Sequence, residues 1–315
     1  MHVCYAAEIS ESVKISVSDS LIPFICAKQL LRKMRGGSQS ILVRGEDEEL
    51  YVVKLNDNEQ GPNLLANEML GSELLRATGL PTPPWKAIFL SEEFLNCNPG
   101  LHFECKSGYK PIRSGLHFGS HFVMPKNGGA VYELLPSSFC RRISNPTDFL
   151  GIYIFDVWAN HHDHRQALFS CDLMNPGVRA NFVDNGHLFG SPHWCPKEKY
   201  GAAMHLDKNV YTVPWLDVSV DGWISHFETT IPQTLHRIVK QIPKDWYKGD
   251  ISALTQYLEH RLLNLRKLFQ HELQNNSRIN PQQTTGLGNV PMQICDSRPL
   301  PVRSFVGRHP LPATT

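Results

Sequence analysis

The chain has 315 residues, long enough for one large bilobal unit or two modest domains with a sizeable core. Lys and Arg total 31 against 30 Asp and Glu, a formal charge of +1. Nothing global therefore points to nucleic acid, an anionic membrane or a polyacidic partner, and any anion binding must be local. The longest apolar runs, such as residues 150–158, are interrupted by Asp156 and fall far short of the roughly 18 residues that span a bilayer. Eight cysteines show no CxxC pair or framework spacing and no apolar targeting segment opens the chain, so the expected setting is a reduced cytoplasm.

In chain order, the first feature is the segment Met34-Arg35-Gly36-Gly37-Ser38-Gln39-Ser40. Paired glycines let the backbone approach phosphate and turn its N–H groups inward, and Ser38, Gln39 and Ser40 add donors. The string is neither a Walker loop nor GxGxxG, and on its own it reads more readily as a turn than as a phosphate cradle. Residues 41–55, ILVRGEDEELYVVKL, give two β-rich runs around a charged turn, with Lys54 between apolar neighbours. A strand lysine alone is as readily a solvated edge residue.

Leu64, Leu65, Met69, Leu70, Leu74 and Leu75 recur at helical spacing over residues 63–78, and Gly79 and Pro81 supply the stop. Glu68 sits on that helix. Strand character returns at residues 85–90, and residues 96–130 are loop-rich around the apolar run His121-Phe122-Val123-Met124. A helix is expected from about Thr147 to Ala159, then a loop, then a strand, turn and strand through Phe169 and Val183. Residues 231–273 read as helical with a break at Pro243. From about Gln274 the Asn-, Gln-, Thr-, Gly- and Pro-rich sequence predicts a flexible tail.

The loop Asn160-His161-His162-Asp163-His164-Arg165-Gln166 is followed, twenty-one positions after Asp163, by Asp184 in the turn FVDNGHLFG. Phosphoryl transfer needs a cation on the nonbridging oxygens, metal bridging the phosphates and a carboxylate at the acceptor. Lys54 can supply the cation, Glu68 can hold it, Asp163 can orient or deprotonate the acceptor, and Gln166 with Asp184 can offer oxygen ligands of the kind magnesium takes. Asp184-Asn185-Gly186 is by itself also an ordinary hairpin turn. The histidines around Asp163 open a rival, a transition-metal site as in an HD-type phosphohydrolase, which needs ligands from several helices.

With these motifs assembled the chain resembles the HipA-like kinases, a branch of the protein-kinase-like fold. The carrying stretches are RGGSQS at 35–40, YVVKL at 51–55, LLANEMLGSELLRATGLPTP at 64–83, DFLGIYIFDVWANHHDHRQALF at 148–169, FVDNGHLFG at 182–190 and the helical close at 242–268. The resemblance implies an α+β, two-lobed protein-kinase-like fold: a β-rich N-terminal lobe over residues 1–135, a mainly helical C-terminal lobe over 136–273, and a tail over 274–315. It implies ATP and Mg2+ in the cleft and transfer of the γ-phosphoryl group to a Ser/Thr hydroxyl of a protein substrate that the sequence does not identify.

In that frame Asp163 and Lys54 are catalytic, and Gly36, Gly37, Ser38, Gln39, Lys54 and Glu68 bind the nucleotide. The hinge that meets adenine falls between Tyr132 and Pro136, adding Glu133 and Leu135, while Gln166 and Asp184 hold metal. One departure is that many relatives carry asparagine five positions after the catalytic aspartate, whereas here Gln166 comes at the third. That departure keeps open a catalytically degenerate nucleotide- or partner-binding protein, besides a small-molecule or lipid kinase.

Overall fold

The computed structural model describes residues 22–125 and 127–279. Five strands close into a barrel in the order β1 (Phe24–Lys33), β2 (Ile41–Gly45), β3 (Leu50–Lys54), β7 (Gly115–His121) and β4 (Trp85–Leu90), with β4 returning parallel to β1. Helix α1 (Leu64–Ala77) lies between β3 and β4 in sequence. A short helix α2 (Glu92–Asn96) and the hairpin of β5 (His102–Cys105) and β6 (Gly108–Pro111) precede β7. The chain then crosses to a three-stranded sheet of β8 (Gly129–Tyr132), β9 (Gln166–Asp172) and β10 (Asn175–Val183), packed with helices α3 (Asp148–Trp158), α4 (Asp217–Ile238), α5 (Ile251–Leu263) and α6 (Leu265–Asn275). The result is a mixed α+β molecule, sheet-rich at its N-terminal side and helical at its C-terminal side. Among the described residues no helix is long and apolar enough to cross a membrane.

The period-2 alternation of β3 decides where its lysine goes. Tyr51 and Val53 are fully buried and join Ile41, Val43, Ile88 and Leu90 inside the barrel. Lys54 therefore leaves on the opposite face, where α1 packs. That helix is buried from Leu64 through Leu75, so it has no solvent face over most of its length. A helix enclosed on all sides must satisfy its polar groups internally, and Asn67, Glu68, Ser72 and Glu73 are its buried polar residues. It ends in a Schellman motif: the Leu80 N–H reaches the Leu75 carbonyl and the Gly79 N–H the Arg76 carbonyl, with Gly79 at φ +74°. The expected stop at Gly79 is the one observed.

Two interactions fix the barrel against the helical part. Trp246, fully buried, donates its indole N–H to the Leu116 carbonyl on β7 at 3.0 Å and stands edge-on to Trp85 and Phe118. Glu73 accepts from the Trp85 indole and pairs with Arg76 on its own helix and Arg237 on α4.

Three expectations move. The loop-rich reading of residues 96–130 hides β5, β6 and β7, because GLHFGSH has little strand character. Gly119 is nevertheless required there, since a Cβ would come within 2.3 Å of the Ile88 side chain. Helix α4 begins at Asp217, well before residue 231, and carries Pro232 inside it. The helix expected to close near residue 273 runs to Asn275, and Asn276 and Arg278 beyond it make the contacts given below. The rest of the expected tail, residues 280–315, lies outside the described residues, as do residues 1–21 of the expected N-terminal lobe.

His117 on β7 holds the chain just past Lys54: its Nδ1 accepts the Asn56 N–H at 2.9 Å. Burial pushes this ring from 6.5 down to about 4. Between those values the unfolded chain binds a proton that the folded one does not, so stability falls as pH drops from about 6.5 to about 4, by roughly 3 kcal/mol for this group. The His117→Asn protein, which keeps an acceptor there, should lose that part of the pH dependence when urea midpoints are compared at neutral and mildly acidic pH. An unchanged acid sensitivity would count against the assignment.

Candidate active site

Two elements converge on Lys54 of β3. Its ammonium pairs with Glu68 of α1 and with Asp184 Oδ1 of the turn after β10, the latter at 2.5 Å, and the lysine side chain is only 11% exposed. Asp184 Oδ2 accepts from the Gln166 amide at 2.8 Å, and Glu68 Oε2 accepts the Asn185 N–H at 3.2 Å. Burial alone would lower the Lys54 pKa; the Asp184 and Glu68 carboxylates reverse this and hold it above the ordinary range. Burial likewise works to raise Asp184, but the Lys54 cation brings it down to about 2. Burial pushes Glu68 upward against the pull of Lys54. Asp184 is thus an anion at any pH near neutrality, and the strand lysine is not a solvated edge residue.

The turn is shaped for this approach. Asp184 sits at φ +65°, a left-handed conformation that aspartate tolerates better than most residues. At Gly186 a Cβ would lie 2.4 Å from Leu64 and 3.1 Å from Glu68 Oε1, so only glycine lets α1 come this close. Asn67 then seals the contact. Its amide donates to the Gly186, Leu188 and Ser191 carbonyls, and its oxygen accepts the Trp194 indole N–H at 2.8 Å.

Beneath the loop lies a second buried cation. Arg165 pairs bidentately with Asp156 of α3 and donates from Nη1 to the Val183 carbonyl at 3.0 Å and to Asn185 Oδ1 at 2.9 Å. Asn185 donates onward to Ser72 Oγ of α1. Asp156, fully buried, stays below the ordinary carboxylate range because Arg165, followed by His161, outweighs its burial. Asp163 remains half-exposed between these anchors; its Oδ1 accepts the His164 N–H at 2.8 Å. The His162 N–H reaches the His187 carbonyl, joining the Asp163 loop to the Asp184 turn.

Lys54, Glu68, Gln166 and Asp184 are therefore brought together as the spacing predicts, with Asp163 on the same loop as Gln166. The segment 34–40 connects β1 to β2, with Gly36 (φ +123°) and Gly37 exposed and Ser38 bonded to Ser40. Gln39 differs from expectation: both ends of its side-chain amide are taken up by the Glu104 backbone of β5, so it pins the loop to that hairpin. The hinge moves as well. The chain crosses between the two sheets between His121 and Gly129, ahead of residues 132–136. Glu133 is exposed past the end of β8, and Leu135 is buried in the larger core.

The histidines do not converge. His161 lies 3.4 Å from Asp156, His162 meets the Lys197 carbonyl, and His164 meets Arg278. Among the described residues no three His, Cys, Asp or Glu side chains form a metal-holding group, which the HD-type arrangement requires. The sequence reading missed Asn67, Asp156, Arg165 and Asn185. Asp156 left one signal, a lone carboxylate inside an otherwise apolar helix. Removing it leaves the Arg165 guanidinium buried without its counter-charge, so the Asp156→Asn protein should be less stable by about 3–5 kcal/mol in urea unfolding. A loss below about 1 kcal/mol would show that the pair does not anchor the loop.

The HipA-like kinase family model matches residues 27–174, a span that holds Lys54, Glu68, Asp163 and Gln166 and stops short of Asp184. No curated protein matches the sequence. Among solved structures, the crystal structure of the Golgi casein kinase is similar at 11% identity and TM-score 0.51, covering 86% of this chain and 77% of that one. The same kinase with Mn/ADP bound gives 11% and 0.50, covering 88% and 77%. The Helicobacter pylori proinflammatory kinase CtkA gives 11% and 0.48, covering 81% and 97%. At such identities the Golgi casein kinase likeness shows the fold alone, while the family match supports a kinase. Over residues 27–174 the sequence matches the HipA-like kinase family model, and the fold is similar to that of the Golgi casein kinase.

Proposed function

We propose that the protein is an ATP-dependent kinase that transfers the γ-phosphoryl group to a serine or threonine hydroxyl of another protein. The observation that carries this reading is the buried Lys54 ammonium shared by Glu68 of α1 and Asp184 of the metal-side turn. A cation buried at such desolvation cost, on the strand paired with β2 where the 34–40 turn enters, fits a site built to receive phosphate oxygens. The HipA-like match supports phosphoryl transfer, the family resemblance supports the Ser/Thr direction, and the cysteine usage supports a cytoplasmic setting.

The donor chemistry fits magnesium. Asp184 offers an ionised carboxylate, and Gln166, whose amide N–H donates to Asp184 Oδ2, carries an amide oxygen on the same group; both are hard ligands of the kind that leave room for water and phosphate. Those two residues would hold the ion, which when bound neutralises charge on the phosphates. That the Golgi casein kinase structure carries Mn and ADP supports a nucleotide with a divalent cation here too. Lys54 contacts the phosphates, and Glu68 keeps it in place. Gly36 and Gly37 cover the phosphates with their N–H groups, Ser38 adding a hydroxyl. Asp163 has Oδ1 occupied by the His164 N–H, which turns Oδ2 to the acceptor hydroxyl to orient it and take its proton. His187 is held below its ordinary pKa by burial, against the pull of Asp163 and Asp184, so its ring is neutral near pH 7.

Mg-ATP at about a hundred times its dissociation constant should stabilise the protein by roughly 2.7 kcal/mol, read as a thermal shift. No shift with ATP, ADP or an analogue would overturn the nucleotide site. Label transfer from γ-labelled ATP into lysate protein should fall by about 100-fold or more in the Asp163→Asn protein. Binding without transfer would identify a pseudokinase, and label appearing only in lipid or small molecules would redirect the acceptor class.

A further inference from the structure

The residues just past α6 belong to the support of the Asp163 loop. Asn276 is buried; its amide donates to the Tyr153 hydroxyl at 2.9 Å and to Glu272 at 3.1 Å, while its oxygen accepts the Arg278 N–H at 2.9 Å. Glu272 in turn accepts from the Tyr153 hydroxyl at 2.7 Å and the Gly201 N–H at 2.9 Å. This knot fixes the backbone of residue 278 relative to α3 and α6 and aims its side chain back across the molecule. The Arg278 guanidinium fans over four acceptors. Nη1 reaches His164 Nδ1 at 3.0 Å and the Gly201 carbonyl at 3.3 Å, and Nη2 reaches the His205 and Leu206 carbonyls at 3.0 and 3.1 Å.

A guanidinium donates and never accepts, so His164 Nδ1 must accept here and the ring proton sits on Nε2. The Met204 carbonyl, 3.2 Å from that same nitrogen, is then a neighbour rather than a hydrogen-bond partner. His164 is thus gripped at both ends: its ring by Arg278, and its backbone N–H by Asp163 Oδ1. The remaining anchors of the loop, Arg165 on Asp156 and the His162 N–H on the His187 carbonyl, hold its other residues and do not set the His164 ring.

We propose that Arg278 is a positioning residue for Asp163, locking His164 against residues 201–206 so that the aspartate carboxylate keeps one direction. The inference rests on the kinase reading of Asp163. A fork is needed rather than a charge: a lysine ammonium is a point donor and cannot span the same four acceptors.

The test uses Arg278→Gln and Arg278→Lys in the full chain, with Mg-ATP as the ligand. A misdirected carboxylate should lower kcat by about 10- to 100-fold in both variants, with the Mg-ATP dissociation constant within about twofold of the parent. Hydrogen exchange should quicken at the amides of residues 161–166 and stay unchanged at 64–77. Unchanged kcat with unchanged exchange at 161–166 would overturn the proposal. If the parent protein binds Mg-ATP but transfers no label, the kinase reading fails by itself, and the exchange comparison still decides whether Arg278 orders the loop. Should the glutamine variant not fold, the lysine variant carries the same comparison.

Discussion

A lysine ammonium taken out of water without partners costs several kcal/mol, and this fold takes one out between two carboxylates. That requirement organises the site. The closed sheet supplies Lys54, α1 supplies Glu68, and the turn after β10 supplies Asp184, so the cation is satisfied only when the sheet, the helix and the lower part of the molecule are assembled together. Replacing this set by apolar residues would serve stability as well. On the proposed function, the set is preparation for an anionic ligand that displaces Asp184 from the lysine.

The same constraint explains the second cation. Arg165, buried on Asp156, reaches the Val183 carbonyl and Asn185, the residue that also presents its N–H to Glu68. The two charge clusters thus share one asparagine. Helix α1 is fastened to the turn by Asn67 and by the Cβ-free approach at Gly186, so the Lys54–Glu68 pair is assembled in this structure without further movement of the helix. Residues far apart in sequence, Asn67, Asp156 and Arg278, hold the segments that carry Lys54, Asp163 and Asp184.

The legible part of the sequence was the part with a local cause. The β-rich run that ends at Lys54, helical spacing around Glu68 and the Gly79 stop act within a few residues and appear in the structure where they were expected. The Asp163 and Asp184 motifs declared their loop and turn because the residue types are chemically restricted. What escaped depends on tertiary partners. Strand β7 exists because Gly119 clears Ile88 and because β3 and β4 flank it, none of which its own composition reveals. With that strand unseen, the crossing between lobes was placed past β8, and Glu133 and Leu135 with it. Asn276 and Arg278 look like tail residues by composition; their partners, Tyr153, Glu272 and His164, are set by packing alone.

The most direct test of the account is a crystal structure of the protein with Mg2+ and a non-hydrolysable ATP analogue. The account predicts phosphates between the Gly36-Gly37 turn and the Lys54 ammonium, the ion on Asp184 and Gln166, and Glu68 still paired with Lys54. A nucleotide bound elsewhere, with Lys54 left sequestered between Glu68 and Asp184, would contradict it.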